Sequence, residues 1–189
     1  MNPVHKKFSR RARVATGGAV LAVVALAGFG AVSANASAPA ATPATATSAG
    51  APARATTTST HLTIDAATKA AQAALDAAEK ENQRVTVAVV DRNGNTLVTL
   101  RGDGAGPQSY ESAERKAYTA VSWNAPTSQL AERLEQAPNL KDIPGTLFLA
   151  GGVPVTAGNA PIAGIGVAGA PSGALDEKFA QAGANSVTR

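Results

Sequence analysis

The run PIAGIGVAGAP, residues 161–171, is almost wholly apolar and carries glycine at 164, 166 and 169. Glycine at period 2 strips the side chains from one face of a strand, and a strand interior loses packing and backbone order by using it. Something must therefore lie too close for side chains: a helix, a second subunit or a flat ligand. Gly151 and Gly152, which open the run GVPVT, place the same demand on a second segment.

Gly164 to Gly169 also spell G-x-G-x-x-G. That pattern holds pyrophosphate only between a strand and a helix of a βαβ unit, with an acid about 20 residues further on. Arg189 stands there, and the glycines fit a closely packed strand better than a nucleotide loop.

The neighbouring segments supply a domain around that strand. Between Thr63 and Asn82, Ile64, Ala67, Ala71, Ala74, Leu75 and Ala78 recur at helical spacing, with Thr63 as cap. RVTVAVVDRNGNTLVTLR predicts two strands around Asn93-Gly94, with Val85, Val87 and Val89 on one face. SYESAERKAYTAVSW predicts a helix capped by Ser109, with Tyr110, Ala113, Ala117 and Val121 inward. TSQLAERLEQ predicts a shorter one capped by Thr127. TLFLA, GVPVT and PIAGIGVAG then predict three strands, and a last helix starts near Ser172 or Gly173 with Asp176 and Glu177 in its first turn. The order αββααβββα with short links predicts an α+β fold: a mainly antiparallel five-stranded sheet flanked by helices, one sheet face covered and the other free to meet a partner.

The N-terminal region reads differently. Lys6, Lys7, Arg10, Arg11 and Arg13 precede the uncharged run Val14–Val32 and the small-x-small triplet Ala34-Asn35-Ala36. This predicts a signal peptide over residues 1–36, cleaved after Ala36, and hence a secreted, extracellular protein without a stable membrane span. Residues 37–60 hold only Ala, Thr, Ser, Pro, Gly and one Arg, and predict a disordered linker before a domain at 61–189. The leader takes five of the 17 basic residues and none of the 13 acidic ones, leaving a nearly neutral protein. The basic character of the whole chain thus belongs to its leader, and a nucleic-acid partner is not expected. The absence of cysteine excludes a disulfide framework.

The segments VTVAVVDRNGNTL, RGDGAG, SAERKAYTA, PTSQL, GGVPV and GIGVAGAPSGALDEKFAQAG, spread over residues 62–183, resemble the GlcG/HbpS family, and most of all its secreted haem-binding HbpS type. The resemblance implies an antiparallel sheet flanked by helices and a homo-oligomer, an octamer in the best-known case. It also implies haem and iron binding linked to a membrane sensor kinase and oxidative stress. Other members are tied to glycolate use or labelled haem-degrading, so an enzyme acting on haem or on a small acid is the competing expectation, and a purely structural oligomer the third. Against an enzyme stands the lack of Cys and of any Ser-His-Asp arrangement.

Of the usual haem ligands the chain offers, beyond its leader, only His61, Tyr110 and Tyr118. Tyr118 lies off the apolar stripe and is the better placed tyrosine. The resemblance adds a threonine contact to haem iron, with Thr119 and Thr127 as candidates. Arg101, Arg115 and Lys116 are the cations available for propionates. Three carboxylate pairs at i, i+3, namely Asp76 with Glu79, Glu111 with Glu114 and Glu132 with Glu135, are candidates for bare iron and resemble iron sites of the HbpS type.

Overall fold

A computed structural model of the chain describes residues 50–188. The expected signal peptide and the first part of the expected linker lie outside the described residues. Residues 50–60 are exposed, with one 3-10 turn at Ala53–Ala55.

Thr63 caps helix α1 (Ile64–Lys80) by accepting the Ala66 N–H at 3.2 Å, and Asp65 sits at the positive end of the helix dipole. Ala67, Ala70, Ala71, Ala74 and Ala78 form its buried face. Ile64, expected on that stripe, is 56% exposed at the helix entrance, where no described residue covers it. Small residues let α4 (Gly173–Asn185) press against α1: a Cβ on Gly183 would lie 2.6 Å from the Ala70 carbonyl oxygen. Ser172 caps α4 by accepting the Leu175 N–H at 3.3 Å.

The sheet has four strands, not five: β1 (Thr86–Asp91), β2 (Thr96–Arg101), β3 (Gly152–Ala157) and β4 (Ala160–Ala168), all antiparallel in the order β2-β1-β4-β3. The β1–β2 hairpin turns at Asn93-Gly94, where Gly94 takes φ +88°. Asp91 fastens this turn by accepting the Asn93 and Asn95 N–H groups, each at 2.8 Å. The expected strand Thr146–Ala150 is a strap instead. Its main chain bonds to helix side chains: the Leu147 N–H donates to Thr119 Oγ1 at 2.7 Å, and the Thr146 carbonyl accepts Arg115 Nη2 at 2.7 Å. A tight Leu149 N–H to Leu147 carbonyl bond then bends it out of any ladder.

One sheet face, with Val87, Val89, Val153, Ile165 and Val167, meets α1 and α4, including Phe179. The other face is also covered, which corrects the expectation that it faces a partner. Helix α2 (Ser109–Trp123) lies across it, against Ala88 and Val90. Here the strand glycines find their cause: a Cβ on Gly164 or Gly166 would overlap the carbonyl oxygens of Ala117 or Ala113, and one on Gly152 would strike the Lys116 carbonyl at 2.5 Å. Of the three occupants the glycines allowed, the protein uses a helix of its own. Asn124 ends α2 at φ +49°, and after Pro126 a short α3 (Thr127–Glu132) passes into a 3-10 turn at Arg133–Glu135.

Candidate functional site

Of the sequence-predicted residues, Glu111, Glu114, Arg115, Lys116, Tyr118 and Thr119 lie on α2, whose inward face holds Ala113, Ala117 and Val121 as expected but is turned toward Ser109 and Lys116 and away from Tyr110. Tyr110 is 47% exposed. The buried positions are Ser109, Ala113, Lys116, Ala117, Thr119, Ala120 and Val121. Ser109 sets the rotation: it does not cap the helix but shares a 2.7 Å hydrogen bond with the buried Thr86 hydroxyl, and donates to the Gly106 carbonyl at 2.6 Å.

That rotation drives a lysine into the interior. Lys116 Nζ donates to Asp176 Oδ2 at 2.8 Å and to the Val167 carbonyl at 2.9 Å, with its side chain 3% and that of Asp176 5% exposed. Asp176 also accepts the Ala170 N–H at 3.0 Å. Burial pushes the Asp176 carboxyl above its ordinary range, and the bond and charge of Lys116 offset this only in part. Above the pair opens a cleft of ≈ 260 Å³, with Gln108, Ser109 and Ser112 on one side and Leu149, Ala168 and Ala170 on the other.

On the outer side of α2, Tyr118 and Arg115 come together in a groove of ≈ 170 Å³ with Val90, Gly94, Glu114 and Gly145. The Tyr118 ring lies between the two glycines; a Cβ on Gly94 would stand 2.9 Å from it, and one on Gly145 3.5 Å. The Tyr118 hydroxyl has no hydrogen bond among the described residues, whereas the Arg115 side chain, 40% exposed, bonds to the strap and lies 3.6 Å from Glu111. The two threonines are buried and engaged: Thr119 donates to the Arg115 carbonyl at 2.7 Å and accepts from Leu147, while Thr127 accepts the Gly152 N–H at 2.7 Å. Arg101 is exposed and donates to the Ala105 carbonyl. His61 is exposed too, 2.7 Å from the Ser59 hydroxyl.

The carboxylate pairs remain separate. Asp76 accepts the Gln72 amide at 2.7 Å, Glu114 accepts the Thr99 hydroxyl at 3.2 Å, and Glu79 borders a cavity of ≈ 250 Å³ beside Arg84 and Asp103. Glu132 and Glu135 are exposed. Among the described residues no group of three or more His, Cys, Asp or Glu side chains surrounds a point that could hold a metal.

Sequence reasoning missed the Lys116–Asp176 pair and the neighbouring Glu177. Glu177 accepts the Ser128 N–H at 3.0 Å and the Gly151 N–H at 3.2 Å, tying α3 and the start of β3 to α4. The available signal was a lysine beside an apolar helical stripe. Asp176 gave none, because an acid in a first turn is satisfied by the helix dipole alone.

Residues 62–185 match the family described as haem degrading protein HbpS-like. A solved structure of HbpS is 74% identical in sequence, covers 75% of this chain and 100% of its own, and superposes with a TM-score of 0.74. A Streptomyces reticuli HbpS in which two glutamates three positions apart are replaced by aspartate is 72% identical, covering 78% of this chain and 100% of its own, with TM-score 0.74. A haem complex of PduOC is 25% identical, covers 68% of this chain and 96% of its own, and has TM-score 0.63. No curated protein matches the chain.

Proposed function

We propose, because the chain belongs to the HbpS-like family, that it binds haem. The observation that carries this reading is a relative of the same fold, at 25% identity, solved as a haem complex. In its finer form the reading is of an exported protein, freed of residues 1–36, that assembles as a homo-oligomer and reports haem or redox state to a membrane sensor kinase.

The residues present fit haem at a surface rather than in a closed pocket. The cavities of ≈ 170 and ≈ 260 Å³ beside α2 fall below the roughly 300–1,000 Å³ of enclosed ligand sites, so each can take only the edge of a macrocycle. Of the candidates, Tyr118 and Arg115 share one groove: the unbonded phenol can offer its oxygen to iron, and the half-exposed guanidinium can meet a propionate. Thr119 and Thr127 already have internal partners, and Lys116 holds Asp176, so these three support the fold around the groove. Bound haem supplies an iron whose reactivity follows from its axial ligand. Such an open site means exchangeable binding, suited to sensing. Bare iron, if bound, is assigned to the carboxylate pairs, Asp76 with Glu79 first, on their i, i+3 spacing and hard oxygen ligands alone.

Residues 50–189 form one compact unit, and titrating this unit with haemin tests the reading. The expected result is a saturable Soret shift that Tyr118→Phe weakens about tenfold, one pK unit of binding; no saturable change overturns it. Because the family description names haem degradation, a reductant belongs in a second arm, where release of iron or of a biliverdin-like product makes haem the substrate. Light scattering that returns the mass of a single chain removes the oligomer.

A further inference from the structure

Asn93 is the one asparagine followed by glycine in this sequence; those elsewhere beyond the leader precede Gln83, Thr96, Ala125, Leu140, Ala160 and Ser186. That order carries chemistry of its own. When the main-chain nitrogen after an asparagine meets the carbon of the side-chain amide, a five-membered imide closes, and a Cβ on the following residue crowds the approach. Glycine has none. The Asn93 side chain is exposed and makes no hydrogen bond among the described residues, so its carboxamide can turn toward the Gly94 nitrogen.

The same turn restrains the reaction. The Gly94 N–H donates to the Asp91 carbonyl at 3.0 Å, and Asp91 Oδ1 holds the Asn93 and Asn95 N–H groups at 2.8 Å each. With its nitrogen engaged, Gly94 attacks only when the turn loosens, so the rate follows the open fraction of the hairpin tip and not exposure alone. Gly94 also has a neighbour on its other side. The Tyr118 ring stands 2.9 Å from where a Cβ on Gly94 would lie, which makes this turn a wall of the Tyr118 groove.

We propose that Asn93-Gly94 is a self-modifying site, held in check by Asp91, whose conversion reshapes the Tyr118 groove. The Gly94 nitrogen gives its proton to water and bonds to Asn93 Cγ, while the Cγ–Nδ2 bond breaks and the nitrogen leaves as ammonia with a proton from water. A water molecule then adds to either imide carbonyl and opens the ring, giving aspartate at position 93 or its isoaspartyl isomer. No oxidant or cofactor enters. Either product sets a second carboxylate in the turn that Asp91 serves, and the isoaspartyl form adds a methylene to the main chain, which displaces Gly94 from the Tyr118 ring.

The test incubates residues 50–189 without haem in mildly alkaline buffer and follows peptide masses, isoaspartate content and the Tyr118 ring resonances. Asn93 is expected to gain the mass of an amide-to-acid exchange at least about tenfold faster than Asn159, which is exposed in a turn but precedes Ala160. Asp91→Ala, or the parent chain in unfolding urea should that variant not fold, converts about tenfold faster again. Asn93→Gln, which would have to close a six-membered ring, abolishes the gain at this peptide, and the Tyr118 resonances move as the converted fraction of the parent grows. Conversion of Asn93 no faster than that of Asn159, equal rates with and without the Asp91 bonds, or Tyr118 resonances that stay in place overturn the proposal. No readout uses haem, so this site and the haem reading fail separately.

Discussion

Lys116 turns a charge into the interior and is held there by a single carboxylate. Breaking such a pair from one side strands the other charge in low dielectric, which costs about 3–5 kcal/mol. Lys116→Met is therefore expected to lower unfolding free energy by that amount in urea, and combining it with Asp176→Leu to restore most of the loss. The lysine could be suspected from its place beside an apolar stripe; its partner 60 residues away could not, since only the folded chain brings the first turn of α4 to Lys116. Asp91 shows the opposite balance. Burial raises its carboxyl, but bonds from the Asn95 main chain and side chain and from Asn93 outweigh that and hold it below its ordinary value. The unfolded chain thus takes up a proton at a pH where the folded one does not, and Asp91's stabilising contribution is lost as pH falls through its folded pKa. Asp91→Asn is expected to be less stable than the parent at neutral pH, with the gap closing below about pH 4 in denaturant titrations. Asp176 has the reverse sign: its pKa is raised, so stability falls as pH rises from the ordinary carboxylate value toward its higher folded value.

At the level of elements, the contact between α2 and the sheet is set by what β4 lacks. Gly166→Ala puts a methyl group into the Ala113 carbonyl, backbone that cannot rotate away, and is expected to cost about 3 kcal/mol or more. Gly106→Ala, whose Cβ would meet nothing within 4 Å, is the control and should unfold with the parent in thermal melts. The period-2 glycines were legible in the sequence as a demand for close approach. What approached was not, because a helix backbone, a subunit and a flat ligand impose the same demand on a strand. The β1–β2 hairpin was legible for a local reason: Asn93-Gly94 specifies its turn within a few residues. TLFLA misled because a short apolar run fits a strand as well as a strap, and the bonds that decide the matter come from Arg115 and Thr119 on another element.

The described molecule is three layers: α1 and α4, the sheet, then α2, with the strap against α2 and α3 joined to the starts of β3 and α4. Two cavities, the Tyr118 groove and the Lys116 cleft, belong to opposite sides of one helix, so α2 carries structure and recognition together. Family and fold class could be inferred because six segments keep their order over most of the domain, whereas the sites depend on which face α2 turns to the sheet, set by backbone contacts with Gly152, Gly164 and Gly166 and by the bond between Ser109 and Thr86.

The strap over α2 contributes no rung to the sheet. Two side-chain hydrogen bonds and the edge-to-face stacking of Phe148 on Trp123, centroids 5.6 Å apart, hold it down. It can therefore peel back while every ladder stays intact, at far less free energy than global unfolding. Leu149 travels with it, so the segment behaves as a hinged flap over the Lys116 cleft. Deuterium should enter the amides of Phe148–Ala150 orders of magnitude sooner than those of β1, and Thr119→Val, by deleting one latch, should quicken that exchange further; protection equal to that of β1 would mean the flap is welded shut.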